Sequence, residues 1–242
     1  MKSLVRRAVK RVCSEPRLLL GAYLAVGAVD SVLAAVDAES GVRWVTKPLL
    51  MPLLAGYVAA AARPGADLKL PLAALAGGFA GDVGLLTGDD KLFLAGMAGF
   101  AVGHVAYLKS FADAGAHRVL AAKPWVPAGY AAACAGMLAV LGPRLDDLLV
   151  PVAGYSLLLT AVAAAAAGSD RRTALGGALF LASDTVIALD LAGLDLLPGQ
   201  DAAIMPLYIA AQLLLMSAWT QDERRAREEA TADVMSTAAS RD

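Results

Sequence analysis

Apolar runs on the order of 17–22 residues, about the length that crosses the hydrocarbon core of a bilayer, recur along almost the whole chain. A helix of a soluble protein buries one stripe and shows polar residues at helical period on its other face. These runs carry almost no polar residues at that period. The pattern predicts eight helices, over 18–36, 47–62, 70–86, 91–111, 125–141, 148–167, 173–191 and 202–219. The third and fourth are hinged at Thr87-Gly88-Asp89-Asp90, and a polar, basic loop over 113–124 joins the fourth to the fifth. The second is expected to open on Lys47-Pro48, with proline suited to a first helical turn and lysine able to reach the headgroups. The fold class is therefore all-α, a polytopic membrane helix bundle of about eight transmembrane helices. It divides into a basic arm (1–17), one transmembrane domain (18–220) and a charged tail (221–242).

Charge sets the orientation. Seventeen lysines and arginines fall on the side of the two termini and four on the other, counting the arm and tail with the alternate loops. Basic residues stay on the cytoplasmic side, so both termini are placed in the cytoplasm and the chain in the cell membrane. An even number of spans requires the same. The basic arm followed by an apolar run also has the form of a signal peptide, but the long series of further spans favours a retained first helix. Composition agrees: of 242 residues, 58% are hydrophobic and only 18% charged, with a mean hydropathy of +0.61. No basic patch outside the loop ends points to a nucleic-acid partner. The two cysteines, Cys13 and Cys134, lie in different contexts and make no disulfide framework.

Against this background the ionisable residues inside the apolar runs stand out, because a charge there costs free energy unless it is paired, hydrated or used. Asp82 lies in the third predicted helix, His104 in the fourth and Asp184 in the seventh. At ~1.5 Å per residue both carboxylates fall roughly 16–18 Å from the cytoplasmic ends of their helices, near the midplane. Ser183, Tyr107, Tyr208 and Gln212 accompany them, the last two four residues apart on one helix face. Gly96, Phe100 and His104 match Gly176, Phe180 and Asp184 in spacing, each a single stripe along a helix. Asp30 and Asp190 lie closer to the outer ends, where a carboxylate can reach water. Lys47 reads as an interfacial anchor or a phosphate ligand.

Several chemistries lack their parts. There is no Gly-x-Ser-x-Gly elbow. Gly154-Tyr155-Ser156 offers a serine, but no histidine follows it in the chain. The two histidines, His104 and His117, and the absence of any Cys/His spacing argue against a zinc site. No glycine-rich phosphate loop is present, so neither metal nor cofactor is expected.

Taken in order, Lys47-Pro48, Gly81-Asp82, Gly96-x-x-x-Phe100-x-x-x-His104-x-x-Tyr107, Phe180-x-x-Ser183-Asp184 and Tyr208-x-x-Ala211-Gln212 resemble the lysoplasmalogenases of the YhhN type, integral membrane hydrolases. The resemblance runs from the second to the eighth predicted helix. It implies cleavage of the vinyl-ether bond of a lysoplasmalogen to a fatty aldehyde and glycerophosphoethanolamine or glycerophosphocholine. It also implies catalytic roles for Asp82 and Asp184, with Lys47, His104, Tyr107, Ser183, Tyr208 and Gln212 as candidates for binding substrate. Paired carboxylates suit this reaction: one, kept protonated by burial, would protonate the vinyl β-carbon, and the other, as an anion, would face the resulting cation. Two other classes remain open from the residues alone. A small proton-coupled carrier would also use intramembrane aspartates, and a lysolipid-binding protein would bind without turnover.

Overall fold

The computed structural model describes residues 15–36, 41–62, 65–196, 199–216 and 219–220. Most of the basic arm and all of the charged tail lie outside the described residues. The described residues contain helices and no strand. In chain order the helices are α1 (Pro16–Val36), α2 (Arg43–Ala61), α3 (Lys69–Leu85), α4 (Asp90–Asp113), the short α5 (Ala116–Ala122), α6 (Trp125–Leu141), α7 (Leu149–Ala167), α8 (Arg171–Leu191) and α9 (Gln200–Met216), whose first turn is 3₁₀.

All eight expected helices are present, and six of them are long and apolar enough to cross a membrane. The other two, α3 and α9, have 17 residues each, roughly 25 Å at 1.5 Å per residue against a core of about 30 Å. Two local expectations are corrected. The loop over 113–124 contains α5, because Ala-His-Arg-Val-Leu-Ala-Ala is a run of residues that tolerate a helix, started by Gly115 in the left-handed region (φ 85°). The second helix begins a turn earlier than expected, at Arg43, so Pro48 and Pro52 lie inside it. Each proline lacks the N–H that would close a helical hydrogen bond. The hinge at Thr87-Gly88-Asp89 works as its residue types suggest. Gly88 takes φ 65°, and Asp89 caps α4 by accepting hydrogen bonds from the backbone N–H groups of Lys91 and Leu92 at 2.9 and 3.0 Å.

The tightest packing is between α3 and α4, where glycines let the backbones touch. A Cβ on Gly77 would lie 2.5 Å from the nitrogen of Gly103, and one on Gly84 would lie 2.5 Å from the Cα of Gly96. Between them Gly81 sits against the ring of Phe100, leaving no room for a side chain. Around this pair, α2 packs on α1 and α3, α7 on α4 and α8, and α6 on the outside of α7. The common core holds Tyr23, Leu50, Met51, Leu54, Val58, Phe180 and Tyr208. Large apolar side chains such as Val102, Val140, Val150 and Leu157 face outward. That arrangement is costly in water but not against lipid tails.

Asp30 does not reach water, as its place near the end of α1 had suggested; it is fully buried. Its Oδ1 accepts a hydrogen bond from Thr46 Oγ1 at 2.6 Å and lies 3.6 Å from Arg43 Nε, tying α1 to α2. Breaking a buried ion pair from one side strands the other charge and costs about 3–5 kcal/mol, whereas replacing both partners is often neutral. Arg43→Met is therefore expected to lower the melting temperature in detergent sharply, and Asp30→Asn with Arg43→Met to recover most of the loss. Equal melting of the single and double variants would show that the pair carries no such coupling.

Candidate active site

The polar residues singled out in the sequence converge on two carboxyl groups, each held by a tyrosine from another helix. Asp82, in the last turn of α3, is 1% exposed. Its Oδ2 accepts a hydrogen bond of 2.9 Å from Tyr208 Oη on α9, and its Oδ1 lies 3.9 Å from Lys47 Nζ on α2. Lys47 is thus not an anchor in the headgroups. It is buried and turned inward, one helical turn after Arg43. The 3.9 Å separation exceeds a direct N–H···O hydrogen bond, so the ammonium retains donors for another oxygen.

Behind Tyr208 the polar chain continues. Gln212 Nε2 donates to Tyr208 Oη at 3.3 Å, and Tyr107 Oη on α4 donates to Gln212 Oε1 at 2.6 Å. Every donor in this series points towards Asp82. Gly78, one turn before Asp82, makes space for the series: a Cβ there would stand 3.2–3.3 Å from Met51 Sδ, Gln212 Nε2 and Tyr208 Oη. Tyr107 and Gln212 therefore support Tyr208 from behind. Ser183 lies apart from both carboxyls, its hydroxyl donating to the carbonyl of Ile204 at 3.1 Å and pinning α8 to the start of α9.

Asp184, two turns before the end of α8, has a different setting. It is only half-buried, because it opens onto a cleft. Its Oδ2 accepts a hydrogen bond of 2.5 Å from Tyr155 Oη on α7, and the same hydroxyl lies 3.2 Å from His104 Nε2 on α4. The two stripes of matched spacing thus end on one hydroxyl. Their middle members, Phe100 and Phe180, meet edge to face at 6.4 Å and both pack against Tyr208, at 6.0 and 5.5 Å. These rings lie between the Tyr208 branch and the Tyr155 branch. Lys47 still lies within Coulombic range of Asp82, Asp184 and Asp30. Asp190 is exposed.

The cleft on which Asp184 opens is bounded by α4, α6, α7 and α8. Phe93, Met97, Met137, Val152, Leu181 and Leu191 are among its walls, and Asp184 and Tyr155 are polar groups within it. Its cavity volume is about 40 Å³, room for a few water molecules. Asp82 and His104 are not among its walls. A narrow apolar cleft with a carboxyl and a phenol in its wall can present an acid to a bond laid against it.

Tyr155 is the residue that the sequence did not reveal. In the run around Gly154-Tyr155-Ser156 only the serine drew notice, since a tyrosine in an apolar helix reads as packing. The available signal was its place in the first two turns of a helix, where a side chain can face a neighbouring carboxyl.

A family model described as the YhhN family matches residues 42–219, which include every candidate residue from Lys47 to Gln212. The human protein Lysoplasmalogenase TMEM86B is 29% identical over 183 residues, covering 71% of this chain and 72% of that protein. No solved structure matches the chain. The chain is an all-helical, multi-pass membrane protein and belongs to the YhhN family.

Proposed function

We propose that the protein is a membrane-embedded hydrolase that cleaves the vinyl-ether bond of a lysoplasmalogen, releasing a fatty aldehyde and a glycerophospho-ethanolamine or -choline. The observation that carries this reading is the unequal pair of carboxyls: Asp184 partly buried in the wall of an apolar cleft, Asp82 sealed beside Lys47. The similarity to a human lysoplasmalogenase supports the same substrate class. In this reading the eight long helices all cross the cell membrane, with both termini in the cytoplasm.

The alkenyl chain lies in the cleft with its first two carbons against Asp184. Asp184 gives its proton to the β-carbon; the electron pair of the double bond forms the new C–H bond and leaves an oxocarbenium ion. Asp82, an anion accompanied by Lys47 and Tyr208 behind the Phe100 and Phe180 rings, acts on this cation through its charge and without touching it. Water adds to the cationic carbon and returns a proton to the Asp184 carboxylate. The hemiacetal then breaks its bond to the glyceryl oxygen, which takes the hydroxyl proton, and aldehyde is released. Lys47 has ammonium donors to spare for a headgroup oxygen, and Arg43 stands one turn away on the same helix.

The test is to incubate the purified chain with matched alkenyl, alkyl and acyl lysolipids and to trap aldehyde with a hydrazide. Aldehyde from the alkenyl lipid alone is the expected result. Solute movement across liposomes with no aldehyde from any lipid would replace this reading by a carrier.

A further inference from the structure

Of the groups that touch Asp184, Tyr155 has no part in the motifs that carry the resemblance, yet its hydroxyl lies between the carboxyl and His104, within hydrogen-bonding distance of both. We propose that Tyr155 is the residue that positions Asp184 and takes up the charge left on it when its proton passes to the substrate, with His104 holding Tyr155 in place. This rests on the hydrolase reading of the same site.

The argument begins with one proton and two neighbours. Tyr155 has a single hydroxyl hydrogen and lies within hydrogen-bonding distance of both Asp184 Oδ2 and His104 Nε2. When Asp184 is protonated, its O–H donates to Tyr155, and Tyr155 donates to the bare nitrogen of His104. When Asp184 has given its proton to the substrate, the Tyr155 hydrogen turns from His104 to the carboxylate, and Nε2 stays bare. Only the hydroxyl hydrogen turns between the two patterns, so Asp184 can lose and regain its proton with the heavy atoms in place. A donor held within reach of the atom where charge develops stabilises the transition state more than the ground state.

The setting of His104 fixes its role as support. It is 1% exposed and sits edge-on to Phe180 at 4.9 Å and tilted against Tyr155 at 5.3 Å. Tyr155 lines the cleft and His104 does not. The imidazole therefore meets the tyrosine and not the lipid, which moves His104 from the binding residues to the groups behind the acid.

Loss of a single aimed donor typically lowers kcat by about 10²–10³-fold. Tyr155→Phe is expected to lose that much in kcat with KM for the alkenyl lysolipid almost unchanged, since the ring still fills the wall of the cleft. Fluorinated tyrosines placed at 155 by suppression provide the second readout, because they alter hydroxyl acidity while keeping the packing. Across that series kcat should change steadily with the acidity of the phenol, and in a His104→Ala background the dependence should weaken. A Tyr155→Phe protein that turns over within about tenfold of the parent, or a flat fluorotyrosine series in an active protein, overturns the role of Tyr155 and leaves the hydrolase reading standing. Absence of aldehyde from the unaltered chain sinks both.

Discussion

Asparagine at position 184 is expected to abolish aldehyde release while leaving the protein folded, and asparagine at position 82 to lose both activity and stability. The difference follows from what surrounds each carboxyl. Asp184 has a tyrosine and, beyond it, a histidine for company, and it opens onto a cleft. An amide of the same shape strands no charge there, but it cannot protonate carbon. Removal of a general acid costs about 10²–10⁴-fold, so kcat for Asp184→Asn should fall by at least the lower end of that range. Asp82 is the ion-pair partner of a buried lysine. Neutralising it leaves Lys47 with less opposite charge, in surroundings where unpaired charge costs several kcal/mol. Asp82→Asn should therefore melt at a lower temperature than Asp184→Asn in the same detergent, and lysolipid turnover should fall in both. The assignment of acid and anion is reversed if Asp184→Asn is the less stable variant while Asp82→Asn melts like the parent. Normal turnover in either variant removes that residue from the mechanism.

The second large effect concerns the contact that places Asp82. Valine at Gly84 would put its Cβ 2.5 Å from the Cα of Gly96 and 2.7 Å from the carbonyl oxygen of Leu92. Both are backbone atoms, so no rotamer change relieves the overlap and α3 must move away from α4. Overpacking of this kind costs about 1–3 kcal/mol or more. Because Gly84 is two residues from Asp82, the shift also pulls the carboxyl from Tyr208. Gly84→Val should melt early and lose most of its turnover. Gly136→Ala in α6 is the control, since nothing lies within 4 Å of the added methyl. Alanine in a helix is favoured over glycine by about 0.8–1.0 kcal/mol, so this variant should melt no lower than the parent. Equal behaviour of the two would mean that the α3–α4 contact is not what holds Asp82 in place.

How far the sequence alone reaches can be judged from these same residues. Bilayer length and the lack of polar stripes are properties of a one-dimensional pattern, and they were enough to locate eight helices to within a few residues at most ends. The cost of charge in an apolar run drew attention to Asp82, His104 and Asp184 for the same reason. Local chemistry was legible too: Gly88 and Asp89 form the hinge that their residue types require. The pattern missed α5, because a seven-residue helix is too short to show a period.

Which helix faces which is settled by packing in three dimensions. Hydropathy is nearly uniform around these helices, so it does not say how each is turned about its axis. That rotation sets Lys47 against Asp82 and not among headgroups, and Arg43 against Asp30. It also supplies each carboxyl with a tyrosine, 126 residues away for Asp82 and 29 for Asp184. That acidic side chains lie within apolar helices follows from the order of residues along the chain. The close approach of glycine-faced backbones, which depends on shape and not on polarity, determined which neighbours they meet.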